Sequence, residues 1–176
     1  HEGNVTGYTY DDQGRQTSIV YPDGSQAKYR YNPEGQLVVA IDPEGHKRNY
    51  TYKKEQPHLL NSIVEPDRSI TVFTYNDRQL VSQVKNNSKI TQLQYDAQHN
   101  LSSIENQDGL ITQWTYDYLG QVANISSNGK VQQSFSYDWL GRVTRIASRG
   151  QEETHLAYNA YNEVIQAFNH STKVNF

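Results

Sequence analysis

By type, the side chains best suited to chemistry are six histidines, a recurring aspartate and two outlying aromatics. His1, His46, His58, His99, His155 and His170 are scattered along the chain. None stands at a metal-ligand spacing from a second donor, and a surface role accounts for them better than a zinc site does. Asp11, Asp96, Asp117 and Asp138 recur at one place in a pattern and look like a carboxylate array. Asn32, Asn76 and Asn159 fill the same place, so turn capping explains the position. A calcium site would need more oxygen ligands per turn than one carboxylate. Serine, histidine and aspartate are all present, but no serine carries a nucleophile motif around it. No catalytic, cofactor or metal residue is assigned. Tyr118 and Trp139 differ. They stand where most copies of the pattern hold Asp, Ala, Pro or Lys. Neighbouring rings on one rim could stack on sugars, which makes these two the candidate ligand-binding residues. Leu119 and Leu140 beside them favour rim-to-rim packing instead. The sequons Asn4-Val5-Thr6 and Asn100-Leu101-Ser102 matter only in a eukaryotic source.

These residues are placed by a repeat. Tyr116-Asp117-Tyr118-Leu119-Gly120-Gln121-Val122 returns as Tyr137-Asp138-Trp139-Leu140-Gly141-Arg142-Val143. Its leading tyrosines are Tyr10, Tyr31, Tyr52, Tyr75, Tyr95, Tyr116, Tyr137 and Tyr158, at intervals of 21, 21, 23, 20, 21, 21 and 21 residues. Eight phased copies define a repeat protein, read as one array over residues 1–176.

Composition narrows the function classes. The 176 residues are 35% hydrophobic with a mean hydropathy of -0.87, a thin supply for a thick core. Fourteen Tyr, four Phe and two Trp at periodic places set the chain apart from a disordered one. A net charge of -3 gives no basic footprint for nucleic acid. With no cysteine there is neither a disulfide framework nor a thiolate metal site. No apolar run reaches membrane-spanning length, and no signal peptide is visible. The chain has no methionine and reads as a piece of a longer protein.

Numbering the motif tyrosine 0, position -2 is Tyr8, Tyr29, Tyr50, Phe73, Leu93, Trp114, Phe135 or Leu156. Large residues two apart with a polar one between have the period of a strand. Asp or Asn at +1 opens a type I turn. Gly14, Gly35, Gly120 and Gly141 at +4 supply the positive φ of a G1 bulge. Asn162 suits that place in the last copy, and His99 suits it less well in the fifth. Position 0 then faces +6, pairing Tyr31 with Leu37, Tyr95 with Leu101, Tyr116 with Val122 and Tyr137 with Val143. Asp23-Gly24, Glu44-Gly45, Asp108-Gly109 and Asn128-Gly129 read as two-residue hairpin turns closing the other end. In the long third repeat, Leu60 and Ile63 take the places of +6 and +9.

The expected fold is therefore all-β, a meander of about sixteen antiparallel strands, each roughly 7 residues long. Position +9 (Ile19, Ala40, Ile63, Val84, Ile104, Ile125, Ile146, Ala167) falls on the face opposite the tyrosine. Both faces are then semi-polar. The solution is a single-layer sheet wetted on both sides, curving toward a spiral or partial shell because open sheets much beyond ~10 strands curl.

This Tyr-Asp-x-x-Gly-x-aliphatic pattern resembles the YD repeats of Rhs (rearrangement hotspot) proteins, shared with toxin-complex C components, wall-associated bacterial proteins and teneurins. The resemblance covers about Tyr8 to Phe168 and is best over Tyr116–Val143. The third, fourth and fifth copies lack the glycine. It implies a β-shell around a hollow interior that encloses a C-terminal toxic domain. Members also carry a self-cleaving core motif of the Asp-Pro-x-Gly-Leu type. Nothing here matches it, because Asp42-Pro43-Glu44-Gly45-His46 lies in an ordinary turn. The expectation is a non-enzymatic structural module of a bacterial secreted or cell-surface toxin. Its partners would be the rest of the parent shell and the toxin cargo, with no cofactor, no nucleic acid and no membrane span. The alternative is a module that binds carbohydrate or a cell surface through Tyr118 and Trp139. Exposed strand edges would also let the piece associate with itself.

Overall fold

A computed structural model describes residues 5–169 and 171–175. His1, His170 and Asn4 of the first sequon lie outside them. The described residues form seventeen strands of antiparallel sheet and no helix. They cluster into two units, His1–Ile90 and Thr91–Phe176. The first holds β1 (Gly7–Tyr10), β2 (Gln16–Val20), β3 (Gln26–Tyr31), β4 (Leu37–Ile41), β5 (Lys47–Tyr52), β6 (Leu60–Val64), β7 (Ile70–Tyr75) and β8 (Val81–Asn86). β9 (Lys89–Tyr95) begins at the boundary. The second unit continues with β10 (Leu101–Glu105), β11 (Ile111–Tyr116), β12 (Val122–Ser127), β13 (Lys130–Tyr137), β14 (Val143–Ser148), β15 (Thr154–Tyr158), β16 (Val164–Phe168) and β17 (Lys173–Asn175). Within each unit every strand pairs with the next in sequence. The strands run 3 to 8 residues, mostly shorter than expected, and β17 is a seventeenth strand that the repeat count did not include.

The expected pairing of 0 with +6 is present, as in Tyr31↔Leu37, Tyr52↔Leu60, Tyr116↔Val122 and Tyr137↔Val143. The register then slips by one residue, so that -1 faces +8 and -2 faces +9. This second bulge, at +7, overturns the expected placing of +9. Tyr29↔Ala40, Tyr50↔Ile63, Trp114↔Ile125 and Phe135↔Ile146 are direct cross-strand pairs and share a face with the tyrosine. An uninterrupted strand would have sent +9 to the other side, and one extra residue restores the parity.

One face therefore gathers positions -2, 0, +6 and +9, apolar or aromatic in every copy except for Gln16 at +6 of the first. The other carries -1, +7 and +8, which bond to one another. Thr9 Oγ1 meets Thr17 Oγ1 at 2.8 Å and Ser18 Oγ at 2.7 Å. Thr51 Oγ1 meets Ser62 Oγ at 2.7 Å and accepts from Asn61 Nδ2 at 3.2 Å. Even so the layer is thin. Among the described residues the buried apolar ones are Ala27 and Val39, the buried polar ones Ser62 and Ser103, and no side chain is fully enclosed.

Turn chemistry explains the ends. Every first turn but the longer one of the third repeat is a type I turn with a G1 bulge: Gly120 N donates to Asp117 O at 3.1 Å, and Asp117 N to Gln121 O at 2.8 Å, whereas Lys53 N reaches Leu59 O. Gly120 has φ 80°, and His99 and Gln79 accept the same left-handed backbone at 71° and 61°. The turns at Asp23-Gly24, Glu44-Gly45 and Asp108-Gly109 are corrected to this same three-residue form. Only the glycine of each pair has positive φ, whereas a two-residue type I′ turn needs two such residues. Asn128-Gly129, at 46° and 74°, is the two-residue turn expected. Pro22, Pro33, Pro43, Pro57 and Pro66 all occupy the second residue of a four-residue turn, where their fixed φ is already correct and no ladder donor is lost.

Candidate functional site

Two features carry the functional reading: a stitch between successive hairpins and a rim of exposed rings. The stitch begins with a shortage of backbone bonds. Between one hairpin and the next, the ladder begins only at +8, as in Val39↔Asn49, Ala40↔Arg48 and Ile41↔Lys47. Toward the first turn the bulge leaves the +6 carbonyl without a ladder partner. The next tyrosine supplies one. Tyr31 donates its hydroxyl to Gln16 O at 2.9 Å, Tyr52 to Leu37 O at 2.8 Å and Tyr75 to Leu60 O at 2.8 Å. Tyr116 donates to Leu101 O at 2.7 Å, Tyr137 to Val122 O at 2.9 Å and Tyr158 to Val143 O at 2.7 Å. Phenylalanine could fill the column but could not satisfy that carbonyl. Partial burial pushes the Tyr116 and Tyr137 phenols above their ordinary pKa, and the Asp96 and Asp117 carboxylates add to this.

Position +5 adds a second stitch. Arg15 Nε bonds Asp11 Oδ2 at 2.7 Å, its Nη1 reaches Asn32 O at 3.1 Å, and its guanidinium lies 4.9 Å from the Tyr31 ring centre. Arg142 does the same with Asp138 (2.7 Å), Asn159 O (3.3 Å) and the Tyr158 ring (4.7 Å). Partial burial raises the Asp138 pKa, but the bonds from the Arg142 side chain and backbone outweigh it and hold the carboxyl below the usual range. Gln121 occupies this position in the sixth copy, and its buried Oε1 has no partner among the described residues.

The aspartate array is turn capping, as read from the sequence. Asp117 Oδ1 accepts from Leu119 N and Gln121 N, both at 2.9 Å. Tyr118 and Trp139 project from the tips of two successive first turns of the second unit, 93% and 86% exposed. Leu119 and Leu140 stay half exposed beside them. Sequence reasoning missed Tyr161, 84% exposed, on the next such turn. It stands at +3, the place of Leu119 and Leu140, and so escaped a search at +2. Beside Tyr118 is a cavity of about 680 Å³, lined by Asp96, Gln98, Asn100, Trp114, Tyr116 and Asp117 among others.

Asp42, Glu44 and His46, read in sequence as parts of an ordinary turn, bring one ligand atom of each within 4.8 Å of the others. His46 Nδ1 lies 3.0 Å from Asp42 Oδ2 and His46 N donates to Asp42 Oδ1 at 2.8 Å, so turn closure accounts for this group. His58 bonds Gln79 Oε1 at 2.8 Å, and His155 stacks on Phe168 with ring centres 5.3 Å apart.

In sequence, the RHS Repeat family matches residues 1–26, 10–48 and 95–132. No curated protein matches the chain. Among solved structures, the crystal structure of TcdB2-TccC3 without its hypervariable C-terminal region is similar, with TM-score 0.63 and 14% identity. That likeness covers 93% of this chain and 11% of the other. The crystal structure of TcdB2-TccC3-Cdc42 gives 0.62 and 14% over the same shares, and that of TcdB2-TccC3 gives 0.56 and 14% over 94% and 13%. At such identity the likeness is one of fold. The chain spans little more than a tenth of those chains' length.

Proposed function

The chain is a run of RHS, or YD, repeats, and from that premise we propose that it is a length of wall in a larger Rhs-type shell. Its work is mechanical and not enzymatic: it forms barrier through hairpins that bond to the hairpins before and after them. The observation that carries this is the tyrosine stitch. Six motif hydroxyls, one per rung, each go to a carbonyl of the preceding repeat. Residues that in an enzyme would converge on a cleft are here distributed one per rung. A thin layer with almost nothing enclosed suits a partition better than a catalytic core.

In this reading the shell curves around a C-terminal toxic domain and shields it before delivery from a secreted or cell-surface protein. The similar solved chains are far longer than this one, and one is described as solved without its hypervariable C-terminal region. The test is the open reading frame around this segment, followed by proteolysis of the full product. The reading expects repeats of about 21 residues on both sides and a non-repeat C-terminal domain that resists protease until the repeat wall is opened. Flanks without repeats, or a C-terminal domain digested at the same rate alone and in the full protein, would overturn it.

A further inference from the structure

We propose that a hollow on the tyrosine face of the first unit binds a quaternary ammonium group of the choline type, with Tyr21, Tyr29 and Tyr50 as its aromatic walls and Asp42 as its counter-charge. The cavity measures about 390 Å³ and lies near the turns that follow β2, β4 and β6. That volume lies within the range of small-ligand sites. Departures from the repeat build it. Ala40 lines it at +9, where Ile19, Ile63, Ile104, Ile125 and Ile146 stand in other copies. Ala27, only 4% exposed, lines it where Thr71, Thr91, Thr112 and Thr154 stand in later copies. Two shortened side chains on one face leave a space that the longer ones would fill. Tyr21 adds a ring where the next two copies carry Asp42 and Glu65.

The chemistry of the lining selects the ligand. Elsewhere in the array a cation covers the tyrosine ring: Arg15 on Tyr31, Lys53 on Tyr75 and Arg142 on Tyr158. Among the described residues no cation lies over Tyr21, Tyr29 or Tyr50, so their faces are open to one from outside. Charge agrees. Arg48 reaches the cavity, but its Nε donates to Glu65 Oε2 at 2.7 Å, which cancels its charge locally and leaves that of Asp42. Partial desolvation raises the Asp42 pKa, but the bonds from His46 outweigh it and hold the carboxyl below the usual range. Both Asp42 oxygens are engaged by His46, through its N at 2.8 Å and its Nδ1 at 3.0 Å. The carboxylate therefore offers charge without a free directed acceptor. A primary ammonium brings three donors that need partners, whereas a methylated one brings none and presents only a charged apolar surface.

The test is calorimetric titration of the intact chain with choline and with tetramethylammonium, at a pH of about 8 where imidazole is uncharged. Both cations should bind saturably. The neutral isostere 3,3-dimethylbutan-1-ol should bind at least roughly tenfold more weakly. Tyr29→Leu and Tyr50→Leu install the residue that Leu93 and Leu156 supply at the same place in other copies. Each should weaken binding roughly tenfold, while Tyr29→Phe keeps the ring face and should bind nearly as well as the parent. Ala40→Ile restores the commoner residue, so it should close the hollow and abolish binding with an unchanged circular dichroism spectrum. Phosphatidylcholine vesicles identify the source of the group. Co-sedimentation that Ala40→Ile abolishes assigns a lipid headgroup, and choline binding without it assigns a free solute; the ammonium site stands in both cases. Absence of binding by either cation at millimolar concentration would overturn the proposal. So would equal affinity for the neutral isostere, which would make the hollow merely apolar. Affinity unchanged in Ala40→Ile and in both leucine variants would place the cation elsewhere and overturn it too.

Discussion

The Tyr137 hydroxyl donates to the Val122 carbonyl at 2.9 Å, fifteen residues back along the chain. Val122 is the direct hairpin partner of Tyr116. One tyrosine column therefore serves two purposes: each ring packs across its own hairpin, and each hydroxyl ties that hairpin to the one before. The intervals of 20 to 23 residues between motif tyrosines vary only where a turn absorbs the change. In the long third repeat the hydroxyl of Tyr75 still finds the +6 equivalent, Leu60.

Replacing Tyr137 with phenylalanine should cost about 1 kcal/mol of unfolding free energy, since it keeps the ring and strands a carbonyl. Tyr10→Phe is the control. Tyr10 is 59% exposed and makes no hydroxyl bond among the described residues, so its replacement should change nothing measurable. Urea denaturation followed by circular dichroism compares the two.

Gln121→Arg should stabilise the chain by about 1 kcal/mol. The arginine would reproduce the arrangement of Arg15 and Arg142, bonding Asp117 Oδ2, reaching the next turn and covering the Tyr137 ring, while removing a buried oxygen that has no partner. Thermal unfolding reads the gain. A fall in midpoint would show that the sixth turn cannot seat the clamp.

His99→Gly should also stabilise, by about 0.5–1 kcal/mol. His99 holds φ 71° where four other copies have glycine, and that backbone is costly for a residue with a Cβ. The reverse change, Gly120→Ala, should destabilise by a similar amount from backbone strain alone, because an added Cβ would meet nothing within 4 Å. Both are read from the same melting experiment.

Stability should fall at both ends of the pH scale. Partial burial lifts the Tyr52, Tyr75, Tyr116 and Tyr137 phenols above 10.0 in the folded chain. The unfolded chain then ionises first. Their contribution is intact below about pH 10 and is lost as pH rises through the folded values. Turn aspartates run the other way. The Arg15 backbone bond, with the side-chain bond and charge of Arg15, outweighs partial desolvation and holds Asp11 below 3.8, and the bonds of Ser25 hold Asp23 below it. Their contribution is present above 3.8 and fades as pH falls through the folded values. Urea midpoints across the pH range should show a plateau with losses near both limits; an alkaline loss beginning well below about pH 9 would contradict the tyrosine assignment.

Much of this was legible in the residues. Strand order, the first turn and the pairing of Tyr116 with Val122 all follow from the spacing of tyrosine, aspartate and glycine. What escaped was backbone geometry without a residue signature. The +7 bulge is occupied by Thr17, Val38, Asn61, Ser102, Ala123 and Thr144, which share no property that marks it. Missing it sent Ile125 and Ile146 to the wrong face. Asp23-Gly24 and Asn128-Gly129 look alike as dipeptides, yet Asp23 keeps a negative φ and Asn128 does not. A proline at residue 22, set in the second place of a type I turn, separates the two cases. Of the rim, Tyr118 and Trp139 were visible as departures from the repeat, while Tyr161 was hidden by its shift of one position.

The central claim is that each repeat is a self-contained rung bonded only to its neighbours, with tyrosine as the tie. Excising residues 117–137 tests it most directly. The cut joins Tyr116 to Asp138 in phase, so that Val143 replaces Val122 as the partner of Tyr116, while Tyr116 and Tyr158 keep the Leu101 and Val143 carbonyls as acceptors. The shortened chain should keep a β-sheet circular dichroism spectrum and unfold cooperatively, at a modestly lower midpoint. Collapse of the spectrum, or a chain that no longer folds, would contradict the account.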